Sequence, residues 1–239
     1  MDGENKIERL STGIDGLDEL LYGGIPEKSQ ILLLGEAGSG KTLLSFEIAY
    51  HNAKRGVPTT YLTIEENRKA LISFVVSTFS EFSDAKEFIG TTRLNVVEKK
   101  LQYAIRSPES IQEMVAEIIR TTELNSSKLL IIDSFSLLRS LYGDDRSFTR
   151  GINYIVESIR DQGVTSIMTF ETAEKDPDEP PGLFEESMFD GIIKLQREAI
   201  SGSEMQYFLN VVKMRYSKFK STLCKMTITP HGIEIEPKR

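Results

Sequence analysis

The run GEAGSGKT at 35–42 constrains this chain more than any other feature, because it meets every fixed position of the pattern G-x-x-x-x-G-K-[ST]. Gln30, Ile31, Leu32, Leu33 and Leu34 precede it as a short apolar run that reads as a buried parallel strand. Leu43, Leu44, Phe46, Ile48 and Ala49 follow as a helix that ends by Gly56. Strand, glycine loop and helix in that order make a phosphate cradle. Gly35, Gly38 and Gly40 let the backbone curl so that amide N–H groups point inward, and the helix aims the positive end of its dipole at the same place. Lys41 is expected to reach the β and γ phosphates of a nucleoside triphosphate, and Thr42 to offer its hydroxyl to Mg²⁺.

A length of 239 residues suits one α/β domain, so a single domain over 1–239 is expected. With 39% hydrophobic and 27% charged residues the chain falls among soluble globular proteins. No apolar run approaches the roughly 18 residues of a membrane span, and MDGENKIERL has no apolar signal core. A cytoplasmic protein without membrane partners is expected. Cys224 is the single cysteine and reads as a small core residue on a strand.

The net charge of −7 is unevenly spread. Between 171 and 186, seven acids face Lys175 alone, a local sum of −6, whereas 213–225 carries Lys213, Arg215, Lys218, Lys220 and Lys225 without an acid. The plain expectation for both runs is solvated surface.

Strand-like and helix-like patterns alternate through most of the chain. Thr59 to Ile64 is a strand; Leu71, Phe74, Val75, Thr78, Phe79 and Phe82 recur at helical spacing; Arg93 to Val97 is a further strand. Ser107 and Pro108 start a helix through Ile111, Met114, Val115, Ile118 and Ile119. Leu129 to Ile132 is a buried strand, Ile152 to Ile159 a helix closed by Gly163, and Val164 to Phe170 the next strand. Beyond the acidic run, Ile192 to Leu195, Gln206 to Met214, Leu223 to Thr229 and Ile233 to Ile235 are strands joined by turns such as SGSE and PHG, which predicts antiparallel hairpins at a sheet edge. The fold class is therefore α/β: a mostly parallel twisted sheet flanked by helices, with C-terminal antiparallel hairpins.

Ligands on such a sheet sit at the carboxyl ends of the strands. Asp133 ends the strand LLIID, where a second carboxylate is needed to hold Mg²⁺ or its water shell. Glu65 and Glu66 end TTYLTI, where a carboxylate can orient and deprotonate an attacking water. The same two acids would also favour the following helix through its dipole, and the residues alone leave both roles open.

With these elements in place the chain resembles the KaiC-like branch of the RecA/RadA superfamily over nearly its whole length. STGIDGLDELLYGGIPEKSQILLLGEAGSGKT at 11–42 follows the family's lead-in, and YLTIEE, LLIIDS, RSFTRGINYIVESIRDQGVTSIMTFE, FEESMFDGIIKL and VVKMRYSKF fall in its order and spacing. The resemblance implies a RecA-like ATPase core that assembles head to tail, commonly as a hexameric ring, with ATP and Mg²⁺ at each subunit boundary. It implies that Gly35, Glu36, Ala37, Gly38, Ser39, Gly40, Lys41, Thr42 and Leu43 hold the nucleotide, that Thr42 and Asp133 support the metal, and that Glu65 and Glu66 are the catalytic glutamate pair. Lys213 and Arg215 match the K-x-R element that reaches the neighbour's γ-phosphate; two cations one residue apart on a strand also point the same way. The chain departs from the family after K-x-R, where RYSKF stands in place of the usual glycine and histidine. No motif maps to the phosphosites of the two-domain clock protein.

Three functions follow. The first is a Mg²⁺-dependent, ring-forming regulatory ATPase with protein partners in signalling. The second is a RadA-like DNA-associated protein. The channel loops of RecA-type rings correspond here to SLYGDDRSFTR and the acidic run 171–186, and DNA needs positive charge and aromatic platforms, which disfavours this second role. The third is a nucleotide-gated scaffold with negligible hydrolysis.

Overall fold

Two of the predicted apolar runs, QILLLG and LLIID, alternate their side chains into two different cores, which is what a strand covered on both faces requires. In the computed structural model, residues 7–99, 108–139, 144–172, 187–201 and 204–237 are described, apart from the side chains of 108–111, 137–138, 145 and 201. The chain runs through β1 (Arg9–Leu10), α1 (Asp15–Leu20), β2 (Ile25–Pro26), β3 (Gln30–Gly35), α2 (Lys41–Lys54), β4 (Thr59–Thr63), α3 (Arg68–Thr78) and β5 (Leu94–Glu98). It continues with α4 (Pro108–Leu124), β6 (Leu129–Asp133), α5 (Ser136–Arg139), α6 (Asp145–Asp161), β7 (Thr165–Glu171), β8 (Gly191–Ser201), β9 (Glu204–Met214), β10 (Cys224–Thr229) and β11 (Gly232–Glu236).

These strands form a nine-stranded sheet in the order β11-β10-β9-β8-β3-β7-β6-β4-β5. From β8 to β5 all neighbours are parallel; β9, β10 and β11 extend the sheet antiparallel. Ile31, Leu33, Leu129 and Ile131 pack with α1, α2 and α3, whereas Leu32, Leu34, Leu130 and Ile132 pack with α4 and α6. Cys224 is buried in the first of these cores, as expected. No helix among the described residues is long and apolar enough to cross a membrane.

The lead-in is a structural anchor. Asp18 accepts hydrogen bonds from Ser11, the Thr12 amide and hydroxyl, and the Gly13 amide, and Arg9 donates to Leu21 O, Gly24 O and Ser217 Oγ. Its Gly16 lies so close to β11 that an added Cβ would stand 2.1 Å from Ile235 O.

Several boundaries differ from expectation. β8 runs from Gly191 to Ser201, well beyond Leu195, and Glu204 of the presumed SGSE turn already belongs to β9. The polar stretch QREAI stays extended because β9 pairs with Gln196 to Ala199 one for one, before a register shift at Ile200, so tertiary pairing overrides its weak strand pattern. The segment read as the loop SLYGDDRSFTR is helical from Asp145, with Asp144 accepting from the Ser147 amide as its N-cap. The remainder of that segment, Ser107 and most of the acidic run lie outside the described residues, as does the side chain of Ile111. The helix through Leu71 stops at Thr78, and Phe79 and Phe82 enter the core from the turn that follows.

Candidate nucleotide site

The glycine loop leaves β3 between β7 and β8 and enters α2 through Gly40, whose φ of 95° is a left-handed conformation that a side chain would strain. Gly35 is fixed by crowding: an added Cβ would lie 2.5 Å from Ser39 Oγ and 2.9 Å from Leu195 O. Ala37 and Gly38 form the exposed crown, Ser39 is fully buried, and the Leu43 side chain turns into the core, leaving its backbone amide as its means of touching a ligand.

Lys41 is buried and folds back to donate to Gly35 O at 2.9 Å and Glu36 O at 2.8 Å. Burial holds its ammonium below the usual lysine range, opposed by Glu171, Asp133, Glu65 and Glu36. Among the described residues the arrangement is a cation without a carboxylate in hydrogen-bond contact, surrounded by acids at longer range.

Those acids stand on successive strand ends. Asp133 ends β6, with Thr169 Oγ1 donating to Oδ1 at 2.6 Å and the Tyr61 hydroxyl donating to Oδ2 at 2.8 Å. Tyr61 also sits 3.1 Å from Ser45 Oγ, one turn along α2 from Thr42, so Asp133 and the helix that follows the glycine loop share one buried network. Burial first, and then the charge of Asp133, raises the Tyr61 phenol well above its ordinary range, keeping it a donor. The turn after Asp133, which begins with a cis Asp133–Ser134 peptide, is pinned to β7: the Phe135 amide donates to Thr169 O and the Glu171 amide to Ser136 Oγ.

Glu65 and Glu66 follow β4 and are exposed. Protein atoms still crowd one side of the Glu65 carboxyl group. That partial burial, followed by the charges of Glu171, Asp133 and Glu66 and against Lys41, pushes its pKa up. Capping of α3 is done by others: Asn67 Oδ1 accepts from the Lys69 and Ala70 amides, and Glu98 Oε2 from the Arg68 amide. The pair is thus not needed to cap the helix.

Lys213 and Arg215 are not brought to this edge. Gly191 lies level with both Ile31 at the start of β3 and Met214 at the end of β9, so the two cations stand at the opposite end of the sheet from the glycine loop. Only Lys213 is on a strand; Arg215 is the first residue past β9, its amide bonded to Asp190 O. Both side chains reach the same segment, Lys213 donating to Phe189 O at 2.8 Å and Arg215 to Ser187 O at 3.0 Å. Asp190 accepts from the Gln30 amide and Arg160, with Arg215 3.9 Å away. Lys220 of the basic run 213–225 is paired with Glu19.

Residues absent from the sequence-based site are Tyr61, Thr169, Ser45 and Glu171. Glu171 was visible only as one acid of a charged run, yet its Cα is in register with Gly35. Tyr61 and Thr169 looked like strand residues, and nothing in their spacing marks the carboxylate they hold.

The fold and this edge define a phosphate-loop α/β domain of the RecA type. The chain belongs to the family described as "ATPase: KaiC", whose model matches residues 10–239. It is 30% identical over 246 residues to a "UPF0273 protein" of Methanopyrus kandleri, covering 98% of this chain and 94% of that one. It is 28% identical over 252 residues to the "Circadian clock oscillator protein KaiC" of Picosynechococcus sp., covering 97% of this chain and 45% of the relative. A solved structure of a "KaiC-like protein" from Pyrococcus horikoshii superposes with a TM-score of 0.81 at 26% identity, covering 97% of this chain and all of that one. The α/β RecA-like core and the KaiC-like membership expected from the sequence are both borne out.

Proposed function

We propose that this chain is a single ATPase domain over 1–239 that hydrolyses ATP with Mg²⁺ at sites completed by a second copy, in a head-to-tail ring of the hexameric kind. The observation that supports it is the separation of the two halves of the site. Gly35 to Thr42, Glu65, Glu66 and Asp133 share one edge of the sheet, whereas Lys213 and Arg215 occupy the other, four strand residues or about 13 Å away along β3. A heterologous contact stacking one edge on the other brings the halves together, and repetition with the right rotation closes a ring.

The residues fit the nucleotide and the metal. Among the described residues, the fully buried Ser39 hydroxyl has no partner, and the Lys41 ammonium is bonded only to loop carbonyls that a phosphate can replace. Thr42 and Asp133 offer one hydroxyl and one carboxylate. That small oxygen set suits Mg²⁺, which takes its other ligands from phosphates and water. Mg²⁺ held there would neutralise charge on the β and γ phosphate oxygens. Glu65, whose pKa is raised, takes the proton of the attacking water. Lys213 and Arg215 of the adjoining copy exchange their carbonyl partners for the γ-phosphate.

Subunit mixing tests this directly. A chain carrying Glu65→Gln with Glu66→Gln and a chain carrying Arg215→Ala should each be inactive alone. Mixed, they should regain turnover, because some boundaries then combine intact halves. Absence of recovery in mixed assemblies, or a monomer that hydrolyses ATP at full rate, would overturn the shared site. Nucleotide-dependent assembly without turnover would put a nucleotide-gated scaffold in its place. The clock proteins it matches are about twice as long, and no autokinase activity is proposed.

A further inference from the structure

Arg197 is a cation that neither the phosphate loop nor the K-x-R element accounts for. Ile193 and Leu195 of β8 enter the core on the α2 side, so Arg197, two residues on, is set on that same face beside the glycine loop. A Cβ added to Gly38 would lie 3.4 Å from its Nη1, which rests the guanidinium against the crown of the loop. Its Nε is sealed from solvent without a hydrogen-bond partner, and no hydrogen bond or ion pair engages the guanidinium among the described residues. In that loop, the buried Ser39 hydroxyl is equally unpartnered among the described residues.

An arginine carries five N–H donors in a rigid planar fork matched to phosphate oxygens. Buried donors without acceptors are rare in folded proteins, and at such a place they point to a missing partner. That partner is anionic, and the loop beside it is built for phosphate. β8 and β7 flank β3 on opposite sides, and the carboxylates Glu171, Asp133, Glu65 and Glu66 all belong to the β7 side. A γ-phosphate facing those acids leaves the α- and β-phosphates toward β8.

We infer that Arg197 is a nucleotide-binding residue of its own chain, its guanidinium closing over the crown of the loop onto the α- and β-phosphate oxygens. The inference rests on the ATP reading above. It assigns a cation in the same chain as the loop, distinct from Lys213 and Arg215, which act on the neighbour.

The test is calorimetric titration of the full chain with Mg²⁺-ATP and Mg²⁺-ADP, using Arg197→Met, Arg197→Lys and, as a control for the loop, Lys41→Ala. Arg197→Met should bind both nucleotides roughly ten- to a hundredfold more weakly, with Arg197→Lys between it and the unsubstituted chain. Without nucleotide, the thermal midpoint of Arg197→Met should be unchanged or raised, since donors lacking partners have been removed. Unaltered ADP binding by Arg197→Met, beside loss of binding by Lys41→Ala, would overturn the role of Arg197 and leave the ATP reading standing. A fall in nucleotide-free stability for both Arg197 variants would make the residue structural and overturn it too. If the unsubstituted chain binds neither nucleotide, the ATP reading itself fails and takes this inference with it.

Discussion

At the Gly35 end of the sheet, the Ser39 hydroxyl and Arg197 Nε are buried without partners among the described residues, and four carboxylates surround a lysine whose charge is disfavoured by burial. At the Lys213 end, by contrast, Lys213, Arg160 and Arg215 are bonded to backbone carbonyls or to Asp190 of their own chain. The first edge carries unmet polar demand and the second has met it internally. Unmet demand is a cost to the folded chain that a ligand relieves, so changes there should damage binding while sparing or raising stability. Changes at the closed edge should lower stability and act on function through assembly.

The largest effect expected is at Lys41. Lys41→Ala should weaken ATP binding by roughly a hundredfold or more in calorimetry, through loss of charge-assisted bonds to two phosphates, without lowering nucleotide-free stability. A large stability loss would mean that the bonds to Gly35 O and Glu36 O matter more to the fold than to the ligand.

Next is the glutamate pair. Glu65→Gln with Glu66→Gln should cut turnover about 10²- to 10⁴-fold with nucleotide binding retained. The pH dependence has a defined sign. The folded-state pKa of Glu65 lies above its usual 4.5, so between those two values the folded chain holds more protons than the unfolded one. This residue's contribution to stability therefore falls as pH rises through the window. Glu65→Gln removes that contribution and should raise the thermal midpoint at neutral pH. Turnover of the unsubstituted chain should decline as pH is lowered through the same window, because the base becomes protonated.

Tyr61→Phe probes the network behind the edge. Removing the hydroxyl leaves Asp133 Oδ2 and Ser45 short of a buried partner, which should cost about 1–3 kcal/mol in denaturant unfolding and about tenfold in turnover. Unlike the rim positions, this residue should damage both quantities. Loss of turnover with stability intact would show that the hydroxyl acts on the ligand rather than through Asp133.

The smallest effect belongs to the closed edge. Asp190→Asn weakens one acceptor for the Gln30 amide and Arg160 and should cost about 1 kcal/mol, a thermal midpoint shift of about 2–4 °C, with ATP binding unchanged. A nucleotide affinity that follows this substitution would break the division between the two edges.

Much of the first edge was legible in the chain itself. Lys41, Thr42, Asp133 and the glutamate pair sit at fixed offsets from strands whose apolar runs are unmistakable. Tyr61, Thr169 and Glu171 were not legible, because their importance comes from strand order: β6 and β7 insert between β3 and β4, and no local pattern announces that. The extent of β8 was hidden for a related reason. The apolar run ends at Leu195, and nothing in QREAI marks it as strand until β9 lies beside it, so no local pattern singles out Arg197.

The sequence by itself determined the phosphate loop, the alternation of strands and helices, and the KaiC-like family, because each depends on residue types at short and fixed spacing. Only the tertiary structure decided which carboxylates gather round Lys41, what holds Asp133, and that Lys213 and Arg215 lie at the far end of the sheet from Gly35. Those are consequences of crossovers and of hairpin register, which join residues distant in the chain and leave no periodic trace along it.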